Sequence, residues 1–366
     1  MRVIPQTLRR TSGVQLTPVR GARAAIAMLM SLVVLEGLVH NRVGTSAAVG
    51  TLLGVLFVAF CDLGPSLRIR ARAMSAGTVV GALLMALGSW ISGPWWLAAP
   101  TLGLITFLGG VLAVYGPVAA QVAVVLTITF ALALGRAGGP SAAVPTALGF
   151  LFGGTFFLLL VFVSSLLRGA ARPAVQELVA AARMRHVPAS ALTEHLTHLS
   201  PLVRFALLRA AGTALIVGLA WGTGVPYPQW APIVVIASVR PEQMAALRVT
   251  VRFVIGSVLG AGLADVVLSL VQDPVALAGL AVAGVFLAFT VVDVSYGLFV
   301  FFLTTLTLLL LNIPTSGPTY AVLRVVATLV GAATALGVSW LSAWLVRRSL
   351  GTPSPPPESP PSGAVA

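Results

Sequence analysis

Three carboxylates stand out in this sequence because they lie in or between long apolar runs: Asp265, Glu36 and Asp293. An ionised carboxylate in hydrocarbon is costly, so such a residue either titrates, finds a partner or reaches the membrane surface, and each of the three is a candidate for proton exchange. Asp265 falls about six residues from the outer end of its run, or ~9 Å at 1.5 Å per residue, too deep for a short side chain to reach water. Glu36 is about four residues from the boundary of its run, where the interface is within reach. Asp293 breaks two apolar runs and reads as a turn, with Tyr296 close behind it.

The cations fall into two sets. Arg324 stands where arginine is otherwise scarce, and its guanidinium could hold a carboxylate in two parallel hydrogen bonds or simply anchor a helix at the interface. Arg248 and Arg252 are one helical turn apart, as are Arg68 and Arg72, so each pair either orients its helix or forms part of an anion-attracting mouth. Between these sets runs Pro226-Tyr227-Pro228-Gln229-Trp230-Ala231-Pro232, leading to Arg240-Pro241-Glu242. Prolines interrupt helices, and a broken helix exposes backbone groups that coordinate a substrate, while a plain loop with an interfacial tryptophan fits the same residues. Glu194, His195 and His198 have the spacing of a helical metal site, but only His186 offers a further ligand, and a solvated amphipathic face is the simpler reading.

These residues need elements to hold them, and composition restricts the choice. Hydrophobic residues make up 58% of the 366 and charged residues 8%, against roughly a quarter charged in soluble domains. Stretches such as 147–167 are apolar on every face, which suits a helix in lipid and not the alternating strand of a barrel. The net charge of +13 comes from 22 basic residues, all of them arginine, spread through short segments between apolar runs. That pattern meets lipid headgroups; no aromatic-interleaved basic face for nucleic acid is present. With no lysine, the chain lacks a phosphate-binding P-loop, and Cys61 alone cannot form an internal disulfide. Neither a bound metal nor a cofactor is expected, and no clustered nucleophile and base suggests an enzyme.

Twelve apolar runs are long enough, or nearly so, to be membrane spans, with the eighth, at 229–239, too short to cross as a straight helix. Motifs recur between the halves: Arg68, Arg72, Gly77 and Gly81 reappear as Arg248, Arg252, Gly256 and Gly260, and Tyr115-Gly116 as Tyr296-Gly297. The predicted fold is all-α, with two parallel six-helix repeats whose symmetry axis lies along the membrane normal. Its parts are a cytoplasmic tail (1–20), a first repeat (21–168), an amphipathic linker (169–203), a second repeat (204–348) and a disordered proline-rich tail (349–366). All arginines except Arg42, Arg136 and Arg324 then fall on one side, which by the positive-inside rule is the cytoplasm and also receives both termini. The small residues Ser46-Ala47-Ala48 resemble a signal cleavage site, but Arg23 and the run after it recur internally at Arg209, so retention is expected. Glycine pairs four apart, at Gly50/Gly54, Gly77/Gly81, Gly149/Gly153 and Gly256/Gly260, mark close helix contacts.

Arg209 before an apolar helix, Trp230-Ala231-Pro232, Arg240-Pro241, Arg248, Arg252, Gly256, Gly260, Arg324 and Gly331 together resemble the fusaric acid resistance family, also called the aromatic acid exporter family or integral membrane bound transporter domain. The first half matches that pattern more weakly, with Thr146 or Ala147 where an arginine would answer Arg324. The resemblance implies export of aromatic carboxylates and related organic acids across the bacterial inner membrane, driven by protons. Similarity of that family to plant malate channels keeps a passive anion conduit as the second reading, and a non-transporting structural protein as a third. The expected partners are small organic anions, protons and membrane lipids, with a homo-oligomer left open. Trp230, Arg240, Arg248, Arg252, Tyr296 and Arg324 are the candidates for substrate contact and translocation.

Overall fold

The structure is a computed structural model, and it describes residues 16–39, 45–64, 66–135, 139–167, 200–225, 227–240, 243–312 and 319–349. All regular structure among them is helical. In chain order the α-helices are α1 (Pro18–Val39), α2 (Thr45–Phe60), α3 (Leu67–Trp90), α4 (Trp95–Val111), α5 (Pro117–Leu134), α6 (Gly139–Leu167), α7 (Pro201–Gly222), α8 (Trp230–Ser238), α9 (Gln243–Leu270), α10 (Pro274–Val291), α11 (Tyr296–Asn312) and α12 (Thr319–Ser349), with a 3-10 turn at Leu112–Tyr115. Among the described residues, nine helices are long and apolar enough to cross a membrane, and Ser46–Phe60 and Tyr296–Leu310 are shorter apolar helices. The chain is a multi-pass helical membrane protein.

Helix ends differ from the apolar runs in an instructive way. Hydropathy stops at the arginines, whereas α3 begins at Leu67 and α9 at Gln243, so Arg68, Arg70, Arg72, Arg248 and Arg252 sit on helical turns and not in loops. The Ser66 hydroxyl accepts the Ile69 amide proton and caps α3, which satisfies an amide that would otherwise lack a partner at the helix start. With 28 residues, α9 is ~42 Å long, well over the ~30 Å of hydrocarbon, and its surplus carries the charges into the headgroup layer. α7 starts at Pro201, three residues before the expected boundary of the second repeat. Exposed Trp90, Trp95 and Trp96 at one end, and Trp340 and Trp344 at the other, sit where indoles mark membrane surfaces. Most of the expected linker (169–203), including Glu194, His195, His198 and His186, and most of the expected tails (1–20 and 349–366) lie outside the described residues, which exclude 1–15, 168–199 and 350–366.

Packing follows one scheme in both halves. In the first, α6 packs on α2 and α3, and α5 packs on α3 and α4; in the second, α12 packs on α8 and α9, and α11 packs on α9 and α10. The two leading helices cross over: α1 rests on α10 and α7 on α4. Glycine makes the closest of these contacts. A methyl group on Gly50 or Gly54 would strike the backbone carbonyls of Thr146 and Phe150 on α6, and one on Gly149 or Gly153 would strike those of Ala47 and Thr51 on α2. Lipid gives helices no hydrophobic drive to associate, so this backbone proximity and its dispersion energy hold them. Gly256 and Gly260 meet the carbonyls of Gly297 and Phe301 in the same way.

Candidate functional site

The short eighth helix is enclosed by the rest of the protein. α8 has nine residues, Trp230 to Ser238, and every one is buried, whereas its counterpart α2 has 16. At ~13 Å against ~24 Å, α8 alone is shorter than the ~30 Å of hydrocarbon, and the residues at its two ends, Gln229 and Val239, are buried as well. Aromatic and aliphatic side chains from both halves surround it, including Leu102, Phe130, Leu134 and Val217.

The start of α8 meets a buried cation. Arg324, on the second turn of α12, is 6% exposed, and its guanidinium carbon lies 4.0 Å from the centre of the Trp230 ring. Stacking supplies cation–π attraction while leaving the N–H edge of the guanidinium available, since the donors point outward in its plane. No acid forms an ion pair with Arg324 among the described residues, and its Nη1 has no hydrogen-bond partner there. Gln229, the residue before α8, is also buried with an unpartnered Oε1. A buried guanidinium is expensive without a counter-charge, so this edge is suited to receive an anion.

The other end of α8 carries two further arginines. Arg209, two turns into α7, is buried and donates from Nη2 to the Ile236 carbonyl at 2.7 Å. Arg240 donates from Nη1 to the Val239 carbonyl at 3.1 Å. Its charge acts on both Arg209 and Tyr296. In the sequence Arg209 is a repeat marker and part of the family resemblance but not a substrate-contact candidate; its position eight residues inside α7 is the signal that it is no headgroup anchor.

The remaining candidates lie elsewhere. Arg248 and Arg252 are both exposed on α9, outside the packed interior. Asp265 is exposed on the same helix, beside buried Ala261 and Ala264. Thirteen residues of helix separate it from Arg252, a rise of ~20 Å that fits within the ~30 Å slab. Asp293 is 3.9 Å from Arg20 and accepts from the Thr17 hydroxyl at 3.5 Å, so the turn after α10 binds the start of α1. Glu36 is on α1, and its side chain is outside the described set. No group of metal-ligating side chains is found among the described residues.

One acid was not anticipated. Asp62, just past α2, has a side chain only 3% exposed, with Arg70 donating to both of its oxygens, at 2.5 and 2.8 Å, and Arg23 3.6 Å away. In sequence it sits between Cys61 and a Gly-Pro pair and looks like a loop residue; the early start of α3 and the return of α1 enclose it.

Residues 213–338, which contain Trp230, Arg240, Arg248, Arg252, Tyr296 and Arg324, match the family described as fusaric acid resistance protein-like. A protein of Synechocystis sp. described as uncharacterized is 34% identical over 143 residues, or 38% of this chain and 19% of its own length. The chain thus spans about a fifth of that relative. No solved structure matches. The buried cation–indole pair and the short helix α8 both lie within the part of this membrane protein, residues 213–338, that is similar to the fusaric acid resistance protein-like family.

Proposed function

We propose that the chain is an inner-membrane secondary transporter, a proton-coupled exporter of aromatic or other small organic acids, built as twelve spans in two parallel six-helix repeats with both termini cytoplasmic. The observation that carries this reading is Arg324 buried against Trp230 with an N–H edge lacking a partner among the described residues. An aromatic carboxylate matches that pair, because its charge meets the guanidinium edge while its ring stays among the apolar side chains around α8. The matching packing schemes of the two halves support the repeat. Exposed Arg248 and Arg252 raise the local concentration of anions at the cytoplasmic surface. Proton exchange is assigned to Asp265, Glu36 and Asp293, the carboxylates that lie in or between the apolar runs.

The test is benzoate efflux from proteoliposomes under an imposed pH gradient. Flux that follows the gradient and falls at least about tenfold in Arg324→Gln supports the reading; gradient-driven flux unchanged in that variant sinks it. A passive anion conduit is the second reading, favoured by the absence of any acid paired with Arg324 among the described residues. Asp265→Asn separates the two, since an exporter loses the response to the pH gradient and a conduit keeps its anion current.

A further inference from the structure

The two halves treat the same corner differently. Beyond α2, the cations Arg70 and Arg23 converge on the Asp62 carboxylate. Beyond α8, the partners of Arg209 and Arg240 among the described residues are backbone carbonyls, those of Ile236 and Val239. Helix-terminal carbonyls amount to roughly half a negative charge, so among the described residues the two guanidiniums leave this corner with a positive excess. Polar atoms on the three helices α7, α8 and α9 are also underused. Arg209 is 7% exposed with an unpartnered Nε; Ser238 and Thr250 are 0% and 2% exposed, and each has a hydroxyl without a partner among the described residues. Thr250 occupies in α9 the register position that Arg70 holds in α3, two residues beyond Arg248 as Arg70 is beyond Arg68. Buried donors that go unused are costly in a well-packed protein. Arg240 is only half-buried and gives the corner an opening at the arginine-rich surface.

We propose that the corner formed by Arg209 and Arg240 at the end of α8 is a second anion site, taking one small organic carboxylate in the place that Asp62 fills in the first half. It is separate from the Arg324 edge, which lies at the opposite end of α8, a helix length of ~13 Å away. Arg209 is the floor of the site and Arg240 its rim, with the Ser238 hydroxyl as a further donor. That its occupant goes on to Arg324 rests on the transport reading; the binding itself does not.

The experiment uses the full chain in detergent and benzoate as the probe. Arginine modification by phenylglyoxal is mapped by mass spectrometry, with inorganic phosphate and phosphatidylglycerol in parallel arms. Benzoate is expected to slow modification of Arg240 about tenfold while leaving exposed Arg252 unchanged, and Arg324→Gln is expected to retain that protection. Arg240→Gln, which removes only the half-buried partner, is expected to weaken benzoate binding by equilibrium dialysis at least about tenfold, so the proposal does not depend on Arg209 variants folding. Equal modification of Arg240 with and without benzoate overturns the site. Protection by phosphatidylglycerol alone, or by phosphate alone, also overturns it by assigning the corner to a phosphate. Glu242 adjoins Arg240 and lies outside the described residues; if benzoate protects only in Glu242→Gln, the chain supplies its own carboxylate and the proposal falls. Failure of the transport reading is distinct, appearing as absent benzoate flux with Arg240 still protected.

Discussion

The corner after α2 and the corner after α8 begin from similar material, arginines gathered where a helix ends and the next begins, and they finish as opposites. The first is closed by Asp62, whose two oxygens both accept from Arg70 while Arg23 lies alongside and Arg20 ties the cluster to Asp293. The second has no described carboxylate, and its arginines turn to main-chain oxygen. Burying a charge requires compensation in both places. One half compensates internally and becomes structural, and the other is left with capacity for a ligand. Matching packing schemes therefore do not imply matching chemistry, and α8, shorter than α2 by almost half, is the element on which the difference turns.

The most disruptive way to break the comparison is to open the closed corner. Asp62→Ala leaves Arg20, Arg23 and Arg70 facing one another, and loss of about 3 kcal/mol is expected, read as earlier unfolding in a detergent titration. Undiminished stability would show that the Asp62 cluster holds nothing together. Next comes Trp230→Leu, which keeps an apolar side chain at the start of α8 but removes the stacking partner of Arg324; benzoate flux should drop about fivefold, within the range of a desolvated cation–π contact. The comparison is sharpened by making the open corner resemble the closed one. Ser238→Asp places a carboxylate beside Arg209 and Arg240, and benzoate protection of Arg240 should shrink by a factor of about three or more, with stability unchanged or improved. The smallest effect is expected from Arg252→Gln, about twofold on flux at low salt and none at 0.5 M, because an exposed charge acts only through the screened field. A salt-independent loss there would place Arg252 in contact with substrate.

Much of this was legible in the sequence. The apolar runs announced the helices, and the proline-rich segment before Trp230 announced that the eighth would be short. Arg324 and Trp230 were both singled out, yet nothing in their spacing said that they stack, because that contact joins residues far apart in the chain. The orientation of Asp265 was not legible either. In a soluble helix polar and apolar faces separate, but α9 is apolar toward both lipid and protein, so periodicity cannot say which way a residue faces. Asp62 was missed for a related reason: its burial depends on α1 and the first turns of α3 closing over it, and charged turns do not register as part of a span.

The crossing of the leading helices has a consequence for how the molecule is made and how it moves. Because α1 is seated on α10 and α7 on α4, with Thr17 donating its amide proton to the Thr290 carbonyl at 3.1 Å, each half wears an arm of the other. Neither half finishes its own surface, so the amino-terminal helix must wait for a segment synthesised last but two before it finds its seat. Two separately expressed halves should assemble when made together and aggregate when made alone, and any rocking that carries cargo must bend within the halves, since pulling them apart would unclasp both arms at once.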